Sequence, residues 1–351
     1  MTVQLLPPDD QYVLNHCTRH LARADFDQIP TEELSTRISE AWRFPIIDSY
    51  RPDSTESGAA PGANRVTFIY AVRGLPEPQQ VAVIGTFAPL YAPLPLRRAQ
   101  FLGTDTRYWA TTVVVPHNQV HTYTFLVDDT LQCDPINPQR VLLDNNESWS
   151  RFFTHYCTHP LTLTRLEAAL LQRITDHILP FRTSDGQRFL DRHAQALVTS
   201  GSPPVAGLYR LDEPVGVVNF IDNILAREEH HNRADYKICL ALIDQLLRQR
   251  HAGREPCDLD GAVFTGLYSE MTTDQVVGWE HSRYRSPRYF LQMLRRHAFT
   301  GAFAHPKYGG NVQAAGWAYL EQRYTDSAGQ TLFDWRRAIE PPLGADPDYR
   351  G

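Results

Sequence analysis

The hydrophobic period of this chain changes from strand-like to helical just after Phe153, and that change constrains its fold more than any single motif. Between Arg65 and Phe153 the runs VTFIYAV, QVAVIGTF, RYWATTVVV and HTYTFLVDD are short, β-branched and aromatic, with turn residues between them. That is the pattern of an antiparallel β-sandwich. Beyond Phe153 the strand pattern stops. LTLTRLEAALLQRITDHI sets Leu163, Leu166, Leu170, Ile174 and Ile178 along one helical stripe, and Pro160 suits the start of that helix. VGVVNFIDNILARE and DYKICLALIDQLLRQR repeat the helical period, and a helix pair follows around Phe264–Met271 and Asp274–His281. The next helix has Ser286 placed to cap it, Pro287 at its first position, and Phe290, Leu291, Leu294 and Ala298 at helical spacing. A chain of 351 residues is long enough for two cores. The fold class expected is α+β and multidomain, a β-sandwich followed by a mainly α-helical domain.

The sandwich spans residues 64–153 and the helical domain 154–332. Residues 1–48 form a partly helical segment, in which Thr31 can cap, Glu32 and Glu33 favour the first turn, and Leu34, Ile38 and Trp42 share a face. Residues 49–63 are rich in Pro, Gly and Ser and read as a linker. The tail 333–351 carries Phe333, Trp335 and Tyr349 beside Pro341, Pro342 and Pro347. Such a segment suits an extended arm laid on a partner, or one wrapped back over its own domain.

Composition removes several functions. The formal charge is −6 and no Lys/Arg cluster runs along any one segment, so the electrostatic footprint of a nucleic-acid binder is missing. No apolar run reaches the ~20 residues of a membrane span. The first residues show neither a basic-then-apolar signal nor a twin arginine, which points to the cytoplasm, or to the periplasm if a partner carries the address. Cys17, Cys133, Cys157, Cys239 and Cys257 include no CxxC pair and read as reduced thiols. There is no GxGxxG after a strand, no P-loop and no GxSxG, so any dinucleotide or flavin lies on another chain. Glu228 and His231 form one Glu-x-x-His, but a carboxylate-bridged metal site needs two copies, and a solvated helix end is the preferred reading. A glycosidase needs two carboxylates at a set separation, which spacing alone does not reveal.

The stretch His305-Pro306-Lys307-Tyr308-Gly309-Gly310-Asn311, followed by Gly316-Trp317, suggests a helix running into a turn that only glycines permit. Together with the preceding helix, the segment FLQMLRRHAFTGAFAHPKYGGNVQAAGW resembles the closing signature of the gluconate 2-dehydrogenase subunit 3 family. FIDNILARE upstream extends the resemblance over residues 205–320 or so. It implies a cofactor-free accessory subunit that binds, and stabilises or matures, a sugar or polyol dehydrogenase. The partner implied is a glucose–methanol–choline type flavoprotein that carries FAD, with room for a higher heteromer. Phe303, Tyr308, Gly309, Gly310, Asn311, Gly316, Trp317, Trp335 and Tyr349 are the expected partner-binding residues. The isolated turn also admits a plain packing role.

GTFAPLYAPLPLRR, YWATTVVVPHNQVHTYTFLVDD and CDPINPQRVLLDNNESWSRFF resemble the early-set immunoglobulin-like module found beside glycogen-active enzymes. That resemblance implies an immunoglobulin-like sandwich. Where glycan-binding members carry tryptophan, lysine and tryptophan, this chain has Leu90, Thr124 and Leu131, and Trp109 falls where it would pack in the core. A protein-docking or spacer module is therefore expected. A carbohydrate-binding targeting module and a glycoside hydrolase stand as the alternatives.

Overall fold

The computed structural model describes residues 4–21, 41–50, 62–72, 76–199 and 215–330. They belong to two compact units that divide between Cys157 and Thr158.

The first unit holds strands β1 (Gln4–Leu6), β2 (Ile46–Tyr50), β3 (Ala63–Ala71), β4 (Val81–Gly85), β5 (Leu94–Pro95), β6 (Arg97–Phe101), β7 (Thr104–Pro116), β8 (Val120–Val127), β9 (Thr130–Gln132), β10 (Arg140–Leu142) and β11 (Ser148–Phe153). One antiparallel sheet runs β1-β7-β3-β2, with β6 also on β7. The other runs β10-β11-β8-β4-β5, with β9 also on β8. Alternation along β8 turns Tyr123, Phe125 and Val127 inward. Phe68 of β3 lies 4.9 Å from Tyr123 and 5.6 Å from Phe152, so rings from both sheets meet in one core. The outer face of the first sheet is covered by helix α1 (Asp10–His16), whose Val13 packs with Ile69, Tyr108 and Ala110.

The N-terminal segment thus departs from expectation. Its first residues pair as a strand, Gln4 opposite Val114 and Leu6 opposite Thr112, and belong to the sandwich. β2 occupies the join between the expected helical segment and linker, because Ile46 and Asp48 pair with Thr67 and Arg65 of β3. The helix read from Thr31, Leu34 and Ile38, and most of the linker, lie outside the described residues.

The second unit holds α2 (Arg165–Thr175), α3 (Ser184–Thr199), α4 (Val217–Leu225), α5 (Arg233–Arg250), α6 (Gly261–Thr273), α7 (Pro287–Phe303) and α8 (Ala315–Arg323). α2 starts later than Pro160 because Thr164 and Glu167 form a reciprocal capping box. Leu163, Leu170, Ile174 and Ile178 are buried as expected, whereas Leu166 is 48% exposed. No helix forms over Asp274–His281. Asp274 ends α6 in the left-handed region (φ 61°) and Gly278 follows at φ 87°, and a helix cannot pass through either. α7 matches its sequence signals. The Ser286 hydroxyl accepts from Tyr289 N–H at 3.2 Å, and Phe290, Leu291, Leu294 and Ala298 are buried. Among the described residues no helix is long and apolar enough to cross a membrane.

Candidate partner-docking site

The glycine turn is built by close approach of backbones. A β-carbon at Gly301 of α7 would stand 2.8 Å from the Phe220 ring of α4. At Gly310 it would lie 2.3 Å from the Gly301 carbonyl oxygen, and at Gly316 1.9 Å from that of Ala302. The loop after α7 therefore folds directly onto the helix it left. Gly309 takes φ 90°, a conformation that glycine adopts without strain. Asn311 is wholly buried at φ 47°, which asparagine tolerates better than most residues. Its amide donates to the Ala304 carbonyl at 2.8 Å and its oxygen accepts from Gly316 N–H at 2.8 Å, clamping both ends of the loop.

α4 holds the turn from below. Asn219 donates to the Gly309 carbonyl at 2.8 Å and Asn223, one turn later, to the Tyr308 carbonyl at 3.2 Å. Between them Asp222, with no exposed surface, accepts from the N–H groups of Leu161, Thr162 and Leu163 and from the Thr162 hydroxyl, at 2.7–2.9 Å. Asn219, Asp222 and Asn223 thus form a polar ridge on an otherwise apolar helix, bonded to backbone from two distant segments.

This frame presents aromatic rings outward. Tyr308 is 45% and Phe299 40% exposed, and Phe303 and Trp317 are half-buried. Phe299 and Phe303 stack at 6.4 Å, and the Trp317 indole N–H donates to the Phe303 carbonyl at 2.6 Å. His305 meets Trp317 edge-on at 5.8 Å, while the Lys307 ammonium lies 5.1 Å above the Tyr308 ring. Burial, and secondarily Lys307, lowers the His305 pKa, and its Nδ1 accepts from Lys307 N–H. Rings fixed at one edge and bare at the other suit a protein interface.

Of the residues expected to touch a partner, Phe303, Tyr308 and Trp317 reach this surface. Gly309, Gly310, Asn311 and Gly316 are enclosed, so they shape the surface from within rather than form it. Trp335 and Tyr349 lie outside the described residues. Phe299, Asn219, Asn223 and Asp222 were missed. The i, i+4 asparagines on an apolar helix were the available signal.

The other constellations separate. Glu228 pairs with Arg227 at 3.6 Å and does not join His231. Glu229 is the hub instead, facing His297 and His231 at 3.5 Å and Arg296 at 3.3 Å, with the Asn232 amide donating to it. Its hydrogen bond with His297, against a burial effect of opposite sign, brings its pKa down to about 2. Buried His297 also meets the Tyr236 hydroxyl at 2.8 Å. Among the described residues no three His, Cys, Asp or Glu side chains converge as metal ligands. Asp176, its pKa raised by burial, lines a cavity of about 60 Å³, too small for a sugar ring.

On the sandwich, Leu90 is 99% and Leu131 49% exposed, while Thr124 is buried and donates to the Gln132 carbonyl. Trp109 packs half-buried against the core beneath Arg98, whose guanidinium lies 5.0 Å from the ring. Next to Leu90, half-exposed Tyr91 meets Trp149 edge-on at 6.1 Å.

Residues 165–321 match the gluconate 2-dehydrogenase subunit 3 family. The match begins at α2 and ends within α8, so it takes in the whole glycine-turn frame. No curated protein matches the chain. Among solved structures, the enterobactin esterase of Shigella flexneri is similar at 15% identity and a TM-score of 0.26, over 33% of this chain and 34% of that one. The ferric enterobactin esterase of Salmonella typhimurium is similar at 18% identity and 0.24, over 33% and 36%. This chain spans about a third of the length of those proteins, and at such scores the likeness carries no argument.

Proposed function

We propose that this chain is the small, cofactor-free subunit of a flavin-dependent sugar or polyol dehydrogenase, and that it binds and stabilises or matures the catalytic subunit. That partner is a glucose–methanol–choline type flavoprotein holding FAD. The observation that carries this reading is the coincidence of the subunit 3 match, residues 165–321, with a braced frame that exposes Phe299 and Tyr308 beside half-buried Trp317. Co-expression with the flavoprotein subunit from the same host tests it. The chain alone is colourless, the complex is yellow, and Trp317→Ala weakens the complex by about 2 kcal/mol while the chain keeps its melting temperature. A wild-type chain that is folded yet never associates with the flavoprotein would falsify this reading.

A second reading rests on Tyr91 and Trp149, an aromatic pair on the sandwich surface. Aromatic faces are the usual platform for sugar rings. Retention of the full chain on insoluble starch, lost in Tyr91→Ala/Trp149→Ala, supports it. Equal recovery from starch and from an inert control removes it.

A further inference from the structure

Charge along this chain is distributed unevenly, in a way the whole-chain balance conceals. Between His281 and Leu320 there are six basic side chains, Arg283, Arg285, Arg288, Arg295, Arg296 and Lys307, and no carboxylate. The chain holds 34 Lys and Arg against 40 Asp and Glu, which leaves 28 basic residues against all 40 acidic ones elsewhere. The expectation that no segment gathers cations is therefore corrected. The acid-free stretch runs through α7, whose outward residues Arg288, Tyr289, Gln292, Arg295, Arg296 and Phe299 are all exposed. At about 1.5 Å per residue this face is roughly 25 Å long. It ends at the aromatic surface of Phe299, Phe303 and Tyr308.

The cations on this face are not equivalent. Arg296 is paired with Glu229, Arg283 with Glu280, and Arg295 bonds the Tyr268 hydroxyl. The guanidinium groups of Arg285 and Arg288 make no hydrogen bond or ion pair among the described residues. They line one open groove of about 590 Å³ with Tyr284, Tyr289 and Gln292. Arg288 is attracted by the Asp274 carboxylate, which its backbone N–H holds at 3.0 Å. Neither guanidinium is hydrogen-bonded among the described residues, and with aromatic walls the two suit carboxylates, which arginine binds in a fork geometry. A nucleic-acid backbone needs a longer track of free cations, and the acidic remainder of this chain repels it.

We propose that the exposed face of α7 is a two-point docking strip for an acidic surface of the catalytic subunit. The aromatic end supplies apolar burial. The groove at Arg285 and Arg288 receives carboxylates and fixes which way round the partner sits, since opposite polarity at the two ends penalises the reversed pose. This rests on the reading of the chain as a dehydrogenase subunit.

The test uses the full chain and the co-expressed flavoprotein subunit, with association rate and affinity measured between about 50 and 500 mM NaCl. Wild type binds with an association rate that falls as salt rises. R285E/R288E binds about tenfold or more weakly at low salt, the gap closes at high salt, and R285K/R288K recovers most of the association rate. All three chains melt alike, because both side chains are exposed. If wild type binds tightly but without salt dependence, and R285E/R288E matches it, the strip is refuted while the subunit reading survives. If the wild-type chain binds no flavoprotein, both fall. Tighter capture of a fluorescent single-stranded RNA than of the flavoprotein at about 150 mM salt overturns the choice of a protein partner.

Discussion

Asp134 in the sandwich and Asp222 in the helical unit are both almost completely buried, and they are satisfied across very different stretches of chain. Asp134 accepts from Ile136 N–H at 2.7 Å, Asn137 N–H at 3.2 Å and the Tyr123 hydroxyl at 2.6 Å, all within eleven residues. Asp222 reaches back 59 to 61 residues to Leu161–Leu163. The first stabilises a turn where it stands. The second fastens the entry to the helical unit onto the helix that also holds the glycine turn. A local carboxylate can be lost with local damage, whereas a junction carboxylate couples elements far apart in the sequence.

The glycines sharpen this contrast most. Gly316→Ala places a β-carbon against the Ala302 carbonyl, a backbone atom that cannot rotate away. We expect a loss of about 3 kcal/mol, at the upper end for overpacking, read as a lowered urea midpoint. Gly266→Ala, at an exposed position of α6 with nothing within 4 Å of the new atom, should instead gain about 0.5–1 kcal/mol. Equal effects at the two sites would mean that Gly316 is chosen for something other than space.

Asp222→Asn comes next. It keeps the shape but turns an amide N–H₂ toward donors, and about 2–3 kcal/mol should be lost. Asp134→Asn should cost less, because burial already raises the pKa of that carboxyl and so disfavours its charged form. If Asp134→Asn proves the more damaging in equilibrium unfolding, the contrast between local and junction carboxylates is wrong.

Much of this was legible from local pattern. The change of period at Phe153, the core strands β3, β4, β7 and β8, and the Ser286-Pro287 start of α7 all depend on neighbours within one turn or one strand. Short edge strands such as β1 and β10 escaped because three residues carry too little alternation to read. Asp274–His281 has an apolar spacing that suits a helix, but the left-handed Asp274 decides otherwise, and no spacing announces that. At the site, the aromatic rings were visible as residue types. Which of them face outward depends on contacts to Phe220, far away in sequence, and on the return of the loop onto Gly301 and Ala302 of α7, and these contacts also enclose Gly310 and Gly316.

Acid should act on the two units in different windows. Glu229 has a folded-state pKa of about 2 against an ordinary 4.5, set chiefly by its hydrogen bond with His297. A depressed carboxylate contributes stability that is present above about pH 4.5 and is lost as pH falls toward 2. Glu229→Gln should therefore lower the urea midpoint at pH 7, with the gap to wild type closing by about pH 2. A gap that stays constant from pH 7 to 2 would show that the hub matters through shape and not charge.

His121 should give the smallest effect at neutral pH, because its ring is uncharged there in both folded and unfolded chains. It is 8% exposed, held by the Thr86 hydroxyl and the Gln119 side-chain oxygen, each at 2.9 Å, and packed against Phe87 and Phe152. Burial brings its pKa from 6.5 down to about 4. The unfolded chain therefore takes up a proton near pH 6.5, which the folded sandwich refuses until about pH 4. Stability must fall as pH drops through that interval and level off below it. His121→Gln keeps hydrogen-bonding capacity and removes the titration, so the difference between the two chains isolates this one ring from His16 and His117, whose pKa values burial also lowers. Near pH 7 the variant should differ from wild type by its packing alone. Between pH 6.5 and 4 wild type should lose ground steadily against it, while Glu229 adds its own loss only from about pH 4.5 downward. Parallel stability curves for the two chains across pH 6.5 to 4 would mean that the ring is solvated in the folded state, and that acid acts on the sandwich through other groups, His16 and His117 among them.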